Sequence, residues 1–345
     1  MNSSPFVSPR DPGGVYIIAE AGLNHNGSLD LARRMVEVAA RAGADAVKFQ
    51  KRTVEILAIG AVLDAPDPRF PEFGATYRQI REHIEFGLDE YRAIRDHCRE
   101  HEIEFLCTAF DIPAVAFLEE LGLERYKLAS HSLGNLPLLE HLAALGKPVI
   151  LSTGMAEWDE IDRAVGIFAA RGCPLALMHC VSIYPTPVEQ CNLAMIHRLR
   201  ERYGLPVGYS GHELGVLPTL AAAAMGACMV ERHFTLDRTL IGFDHKISLE
   251  PDELATMVRD IRAIGVMRGS GEKFVSEAER VTRHKYHVSM VSVRSLSRGE
   301  MLTAADIVYR NPGTGIPPKE AGNYLGRFVQ VDVPADIVLT PEMFQ

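Results

Sequence analysis

No stretch of this 345-residue sequence is apolar for long enough to cross a bilayer. The longest, Leu217 to Val230, is Ala-rich and closes on Glu231 and Arg232, whereas a spanning helix needs about 20 residues. The opening segment MNSSPFVSPRDPGG lacks the apolar core of a secretion signal. The six cysteines (98, 107, 173, 180, 191 and 228) form no CxxC pair. Buried or free thiols in a reducing cytoplasm are therefore expected. Positive charge is in deficit: 36 Lys and Arg against 45 Asp and Glu give a formal charge of -9. That argues against a nucleic-acid partner but leaves room for a local basic pocket. An HExxH helix, a Walker loop and a strand-borne GxGxxG are all missing, which argues against a zincin protease and the common nucleotide sites.

What is present is ordinary globular material. Hydrophobic residues make up 47% and charged residues 23%, enough for a large core and, at this length, about two domains. Eight β-rich segments recur: Val15–Gly22, Ala46–Gln50, Glu104–Phe110, Arg125–Ser130, Pro148–Thr153, Leu175–Cys180, Leu205–Ser210 and Ala227–Thr235. Most are continuous apolar runs, as parallel strands covered on both faces require. Helical patterns lie between them. Ser28 can cap a helix with Leu31, Met35, Val38 and Ala42 on one stripe, ended by Gly43. Pro251 opens another, followed by Leu254, Met257, Val258, Ile261 and Ile264.

Eight strand–helix units in residues 1–268 predict a (β/α)8 barrel. Strand counting alone also admits an open, doubly wound sheet. Residues 51–90, with Pro66, Pro68, Pro71 and Gly74, read as a long loop. Polar residues 269–287 read as a linker, and residues 288–345 as a small β-rich domain.

Barrels carry function at the C-terminal ends of their strands. Glu20 ends the first segment, followed by Asn24, His25 and Asn26; Lys48 and Gln50 end the second. The later segments present Thr108, Lys127, Ser130, Ser152, His179, Ser182, Tyr184, Ser210 and His212. The last presents Glu231 and His233, with Asp244, His245 and Lys246 beyond. His212 and His233 end consecutive strands and could converge on one metal suited to imidazole, such as Mn, Co, Fe or Zn. Hydrogen-bonded loop histidines are the alternative. Lys48 and Lys127 tip apolar strands, where a lysine is costly unless paired. With nearby hydroxyls they could cradle a phosphate and a carboxylate. They could equally be ion-paired to Glu20 or Glu231, or form a Schiff base. His25 in NHNG could do no more than hold a turn, and histidines 83, 97, 101, 141 and 197 fall in helical patterns.

These stretches resemble one known family. IAEAGLNHNG (18–27), AVKFQ (46–50), KLAS (127–130), GKPVILSTGM (146–155), LMHCVSIYPTP (177–187), PVGYSGHELG (206–215), VERHFTLD (230–237), DHKISLEPDEL (244–254) and PGTGIPP (312–318) resemble the sialic acid synthases, in order and almost end to end. The resemblance implies a (β/α)8 TIM barrel followed by an antifreeze-like (SAF) domain. It implies condensation of phosphoenolpyruvate with an N-acylated mannosamine-type amino sugar. It also implies a homodimer in which each SAF domain caps the partner's barrel; the acidic charge and the short apolar stretches add the expectation of no nucleic-acid or membrane partner.

Carried over, His212 and His233 would ligate a divalent metal, Mn2+ first and Mg2+ or Co2+ next. The metal would polarise the open-chain sugar aldehyde, and Glu20 would orient or deprotonate the attacking water. Lys48, Thr108, Lys127, Ser130, Ser152, Ser182 and Ser210 match positions around phosphoenolpyruvate. Gln50, Tyr184 and Asp244 match positions near the sugar, and Glu231 lies beside metal and phosphoenolpyruvate. Departures from the family pattern are Ser182 for Asn, Gly211 for Asp, Thr108-Ala109-Phe110 for TPF, His131-Ser132 after KLAS, and Asn311 for Arg, with Arg310 adjacent. Other readings are a 3-deoxy-ulosonate synthase, which needs a second phosphate site, and a non-catalytic carbohydrate-binding protein. For a second phosphate site only Lys246 and the Lys51-Arg52 pair are apparent.

Overall fold

The computed structural model describes residues 5–11 and 14–344. The chain divides into two compact units, Met1–Gly269 and Ser270–Gln345. In the first unit the strands are β1 (Tyr16–Gly22), β2 (Ala46–Lys51), β3 (Glu104–Ala109), β4 (Tyr126–Leu128), β5 (Val149–Ser152), β6 (Leu175–Cys180), β7 (Val207–Gly211) and β8 (Met229–His233). Each pairs in parallel with the next, and β8 pairs back onto β1, so the barrel closes. Closure removes the open doubly wound sheet from consideration.

The helices are α1 (Leu29–Ala42), α2 (Val54–Leu57), α3 (Gly60–Leu63), α4 (Tyr77–Ile84), α5 (Leu88–Glu100), α6 (Ile112–Glu120), α7 (Leu136–Leu145), α8 (Trp158–Ala170), α9 (Met195–Tyr203), α10 (Leu217–Ala224) and α11 (Pro251–Arg268). Ser28 caps α1 by accepting from the Leu31 amide at 3.3 Å, and Gly43 ends it at φ 82°. The buried stripe of α1 is Ala32, Met35, Val36 and Ala39, rotated from the expected Leu31, Met35, Val38 and Ala42. Pro251 opens α11, where Glu250 and Glu253 form a capping box.

Side chains alternate along each strand. Tyr16, Ile18, Ala46, Leu106, Ile150, Ala176, Met178 and Met229 fill the barrel's lower interior. Ile17, Ala19, Val47, Phe49, Val230 and others point outward to the helices. The period of two then aims Glu20, Lys48, Glu231 and His233 inward above the apolar layer.

Arg232, between those two β8 residues, points outward. Its guanidinium meets Glu213 at 2.9 Å, both side chains 1% exposed, and Tyr209 and Thr219 also bond to Glu213. A Cβ at Gly211 would meet Glu213 Oε2 at 2.4 Å, so glycine makes room for this network. Removing one partner of a buried pair strands the other charge. Arg232→Ala is expected to destabilise the barrel by about 3–5 kcal/mol, read as a lowered urea midpoint for its unfolding transition.

Residues 51–90 differ from the expected loop. They hold α2, α3 and α4 and the start of α5. Ile80 and Ile84 of α4 pack with Leu23, Phe70, Phe73 and Phe243 in a small core of their own. The prolines punctuate short helices here rather than preventing them.

The second unit contains α12 (Glu277–Tyr286) and an antiparallel pair, β9 (Ser289–Ser292) with β10 (Ile307–Arg310). The expected linker 269–287 therefore contains a helix, started by a Ser276/Glu279 capping box that a polar composition conceals. Met290, Leu296, Leu302, Ile316, Val329, Val333 and Leu339 form this unit's core. Asn311 is exposed, and the neighbouring Arg310 pairs with Asp336 at 2.7 Å.

Candidate active site

The strand register assembles the site. Glu20 lies level with Lys48 on one side and His233 on the other. Thr108 pairs with Lys127, Cys180 with Ser210, and Ser210 with Glu231. The inward residues form a ring at the C-terminal mouth around a cavity of about 400 Å³. Every residue that the family resemblance places in the site lines it: Glu20, Lys48, Gln50, Thr108, Lys127, Ser130, Ser152, Ser182, Tyr184, Ser210, His212, Glu231, His233 and Asp244; Asn24, His25, Asn26, His179, His245 and Lys246, also carried at strand ends, do not.

The ring is tightly wired. Lys48 Nζ lies 2.8 Å from Glu20 Oε2 and 3.5 Å from Glu231 Oε1, and donates to Thr108 Oγ1 at 2.8 Å. Lys127 Nζ lies 3.6 Å from Glu231 Oε2 and donates to Ser152 Oγ at 2.8 Å. The ion-paired alternative for the lysines is realised, inside the cavity itself. Gln50 Nε2 donates to Glu20 Oε1 at 2.5 Å. β4 stops at Leu128, and Ser130 starts a tight turn that lets its hydroxyl accept from the Gly154 amide at 2.9 Å. A Cβ on Gly154 would sit 2.6 Å from Ser182 Oγ and 2.8 Å from Ser130 Oγ. Only glycine lets these two hydroxyls approach so closely.

Burial raises the Glu20 carboxyl above the usual carboxylate range, Lys48 opposing and Glu231 adding to the rise. Burial also pushes Glu231 up, but Lys127 and Lys48 outweigh it and hold Glu231 low. Lys48 is pulled down by burial, yet the two carboxylates leave it above its ordinary value. The rises on Glu20 and Lys48 oppose each other as a simple ion pair. They agree once Glu231 is taken as the carboxylate that carries the firmer charge. Two buried carboxylates are thus driven apart, leaving Glu20 the more basic.

His212 and His233 have ring centroids 5.4 Å apart. His212 Nδ1 faces the Val181 carbonyl at 3.0 Å. A carbonyl only accepts, so Nδ1 carries the proton and Nε2 keeps a free lone pair. His233 is brought down to about 4 by burial, against the pull of Asp244. Its Nδ1 is buried without a hydrogen-bond partner and lies 3.7 Å from Asp244 Oδ2. His212 is lowered by burial but raised overall by Cys180, the Val181 carbonyl and Glu231, so a divalent cation there would replace a proton; that imidazole, the orphaned nitrogen of His233 and the Asp244 carboxylate suit such a cation.

Among the described residues, a closer trio of donor atoms, within 4.8 Å of one another, is Glu37 on α1, His97 on α5 and His101 just after α5; none of these lines the cavity. His25 is a turn residue. It is buried, accepts from the Gly27 amide at 3.1 Å and stacks on Phe86.

The sequence reading missed part of the mouth. Arg52, Tyr77, Arg81, Phe110 and Phe243 also line the cavity. Arg52 was visible only as half of a Lys-Arg pair, and nothing along the chain links Arg81 of α4 to the barrel.

Comparison with known proteins agrees with this geometry. The NeuB family model matches residues 35–273, and the SAF domain model matches residues 287–345. The chain is 37% identical to an N,N'-diacetyllegionaminic acid synthase of Campylobacter jejuni, over 90% of this chain and 94% of that one. It is 36% identical to the N-acetylneuraminate-9-phosphate synthase of Homo sapiens, covering 95% and 92%. A crystal structure of the N-acetylneuraminic acid synthetase of Leptospira borgpetersenii, in complex with citrate, superposes with a TM-score of 0.68 at 39% identity, covering 78% and 90%. The closed barrel, the ring at its mouth and these matches place the chain in the NeuB family, the sialic acid synthases, with a SAF domain at its C-terminal end.

Proposed function

We propose that this enzyme condenses phosphoenolpyruvate with an N-acylated mannosamine-type sugar, yielding a nonulosonic acid and inorganic phosphate. The observation that carries the reading is the buried pair Lys48 and Lys127, set among Thr108, Ser152 and Ser210 and facing the more basic Glu20. Two lysines with hydroxyl donors suit one phosphate and one carboxylate on a small molecule. The relatives' names support the reaction class. They carry a diacetyllegionaminic acid in one case and a 9-phosphate in another, at 37% and 36% identity, so similarity leaves the sugar open.

The steps follow from the residues. Lys48, Lys127 and the ring hydroxyls hold the phosphate and carboxylate of phosphoenolpyruvate. Its C3 forms a bond to the sugar's aldehyde carbon, the aldehyde oxygen takes up a proton, and C2 becomes electron-poor. Water adds at C2 while Glu20 Oε2 or Oε1 takes its proton. The resulting tetrahedral carbon loses phosphate and becomes the ketone. Glu231, kept ionised by both lysines, stabilises the positive character at C2. A divalent cation held by His212 and His233, with Mn2+ first and Mg2+ or Co2+ next, would polarise the aldehyde. Gln50, Tyr184 and Asp244 would position the sugar.

Phosphate release from phosphoenolpyruvate is the test, with Mn2+ and a panel of sugars. The panel holds N-acetylmannosamine, its 6-phosphate, 2,4-diacetamido-hexoses, mannose and arabinose 5-phosphate. Release with an N-acylated sugar, abolished by EDTA, is expected. Release only with arabinose 5-phosphate would move the enzyme to the 3-deoxy-ulosonate class.

A further inference from the structure

Resting on the reaction proposed above, we infer that Arg52 and Arg81 form an anion subsite at the cavity mouth, so that the sugar carries a phosphomonoester at the end remote from its aldehyde. Arg52 leaves β2 two residues beyond Gln50, and its Nη2 donates to Gln50 Oε1 at 2.6 Å. Its guanidinium lies 3.7 Å from the Phe110 ring centre. Arg81, from α4, lies 4.4 Å from the Phe243 ring centre and 5.0 Å from that of Tyr77. The aromatic faces hold both cations without neutralising them. Arg52 Nη1 and Arg81 Nε and Nη1 are buried with no hydrogen-bond partner among the described residues.

The nearby carboxylates are engaged elsewhere. Glu85 Oε2 takes Lys51 Nζ at 3.1 Å and the Arg52 amide at 3.4 Å. Asp244 faces His233 at 3.7 Å. Burial first, and then repulsion from Arg81, pull Arg52 down to about 10, with attraction from Glu85, Tyr77 and Asp244 opposing them only in part. Two guanidiniums that line one cavity, repel each other and keep idle donors are an uphill arrangement that a dianion relieves. A phosphate also matches the planar guanidinium fork. Phosphoenolpyruvate does not need this pair, because Lys48, Lys127 and the hydroxyls already answer both of its anionic groups. The subsite is joined to the chemistry by one relay, Arg52 to Gln50 to Glu20. A sugar lying along Gln50 would thus place its aldehyde at the ring and its far carbon at the arginines.

The experiment compares N-acetylmannosamine, its 6-phosphate and its 6-carboxylate analogue with wild type, Arg52→Gln, Arg81→Gln and Arg81→Lys. Phosphate release and calorimetric binding of each sugar are both measured, and melting curves confirm folding. Losing one charge-assisted hydrogen bond is worth about ten- to a hundredfold. Wild type is therefore expected to favour the 6-phosphate, with each Gln variant cutting the preference over the plain sugar about tenfold or more. Arg81→Lys should restore part of it. Preference for the plain sugar or the carboxylate, or equal losses on all sugars, would overturn the subsite while leaving the condensation intact. If no sugar supports release, the condensation reading fails, and calorimetry alone decides the subsite. Weakened 6-phosphate binding in both Gln variants would then support it, and no binding to wild type would overturn it.

Discussion

Glu20→Gln is expected to lower kcat for phosphate release by about 10²- to 10⁴-fold, the usual worth of a positioned general base. The KM for phosphoenolpyruvate should stay level or fall. Gln keeps one side-chain oxygen, enough for Lys48 or for Gln50 Nε2 but not for both, so one local hydrogen bond is lost while the side chain keeps its size. What disappears is one negative charge beside Lys48, which leaves the lysines freer to attract an anion. Wild-type kcat should also show an acid limb above the ordinary carboxylate range, because burial raises Glu20. Activity rises with pH through that limb, as the base loses its proton, and the limb should vanish in the Gln variant. Steady-state kinetics over a pH series measures both effects. An unchanged kcat with a raised KM would make Glu20 a binding residue instead.

The second large effect is on the histidine pair. His212→Ala is expected to cost about a thousandfold or more in Mn2+-dependent phosphate release. Lewis-acid stabilisation is worth several kcal/mol, and each decade of rate is about 1.4 kcal/mol. Calorimetry supplies a readout independent of turnover: Mn2+ binding seen in wild type should weaken or vanish in the variant. The fold should survive. His212 sits at the cavity edge just beyond β7, and the Glu213–Arg232 network beside it does not use the imidazole. Equal Mn2+ affinity in both proteins would remove the metal assignment from this residue.

The barrel's helices and strands were legible because their signals are local. Continuous apolar runs, Ser28 and Gly43 around α1, and Pro251 at the start of α11 each act within a few residues. The site was legible for a related reason. In a barrel, strand-end position alone decides which residues face the mouth, so Glu20, Lys48, His212 and His233 could be named without knowing any contact.

Other features lay outside the reach of a linear reading. The buried stripe of α1 is rotated onto Ala32, Met35, Val36 and Ala39. Residues 51–90 looked like a loop, since their helices are short and gain stability only by packing Ile80 and Ile84 against Phe70, Phe73 and Phe243. The polar segment before the SAF unit concealed a capped helix. Gly211 read as a departure from a motif, whereas its neighbourhood shows it making space for a buried ion pair.

By itself, then, the sequence determined the eight-unit period and the residues carried at strand ends, because periodicity and capping are properties of neighbours in the chain, and its ordered motifs carried the resemblance to the family. Only the tertiary structure decided that the sheet closes, that Lys48 joins Glu20 to Glu231, and that Arg81 meets the same cavity as Arg52. Those outcomes depend on strand register and on packing between segments far apart in the chain, where a one-residue slip would turn every inward side chain outward.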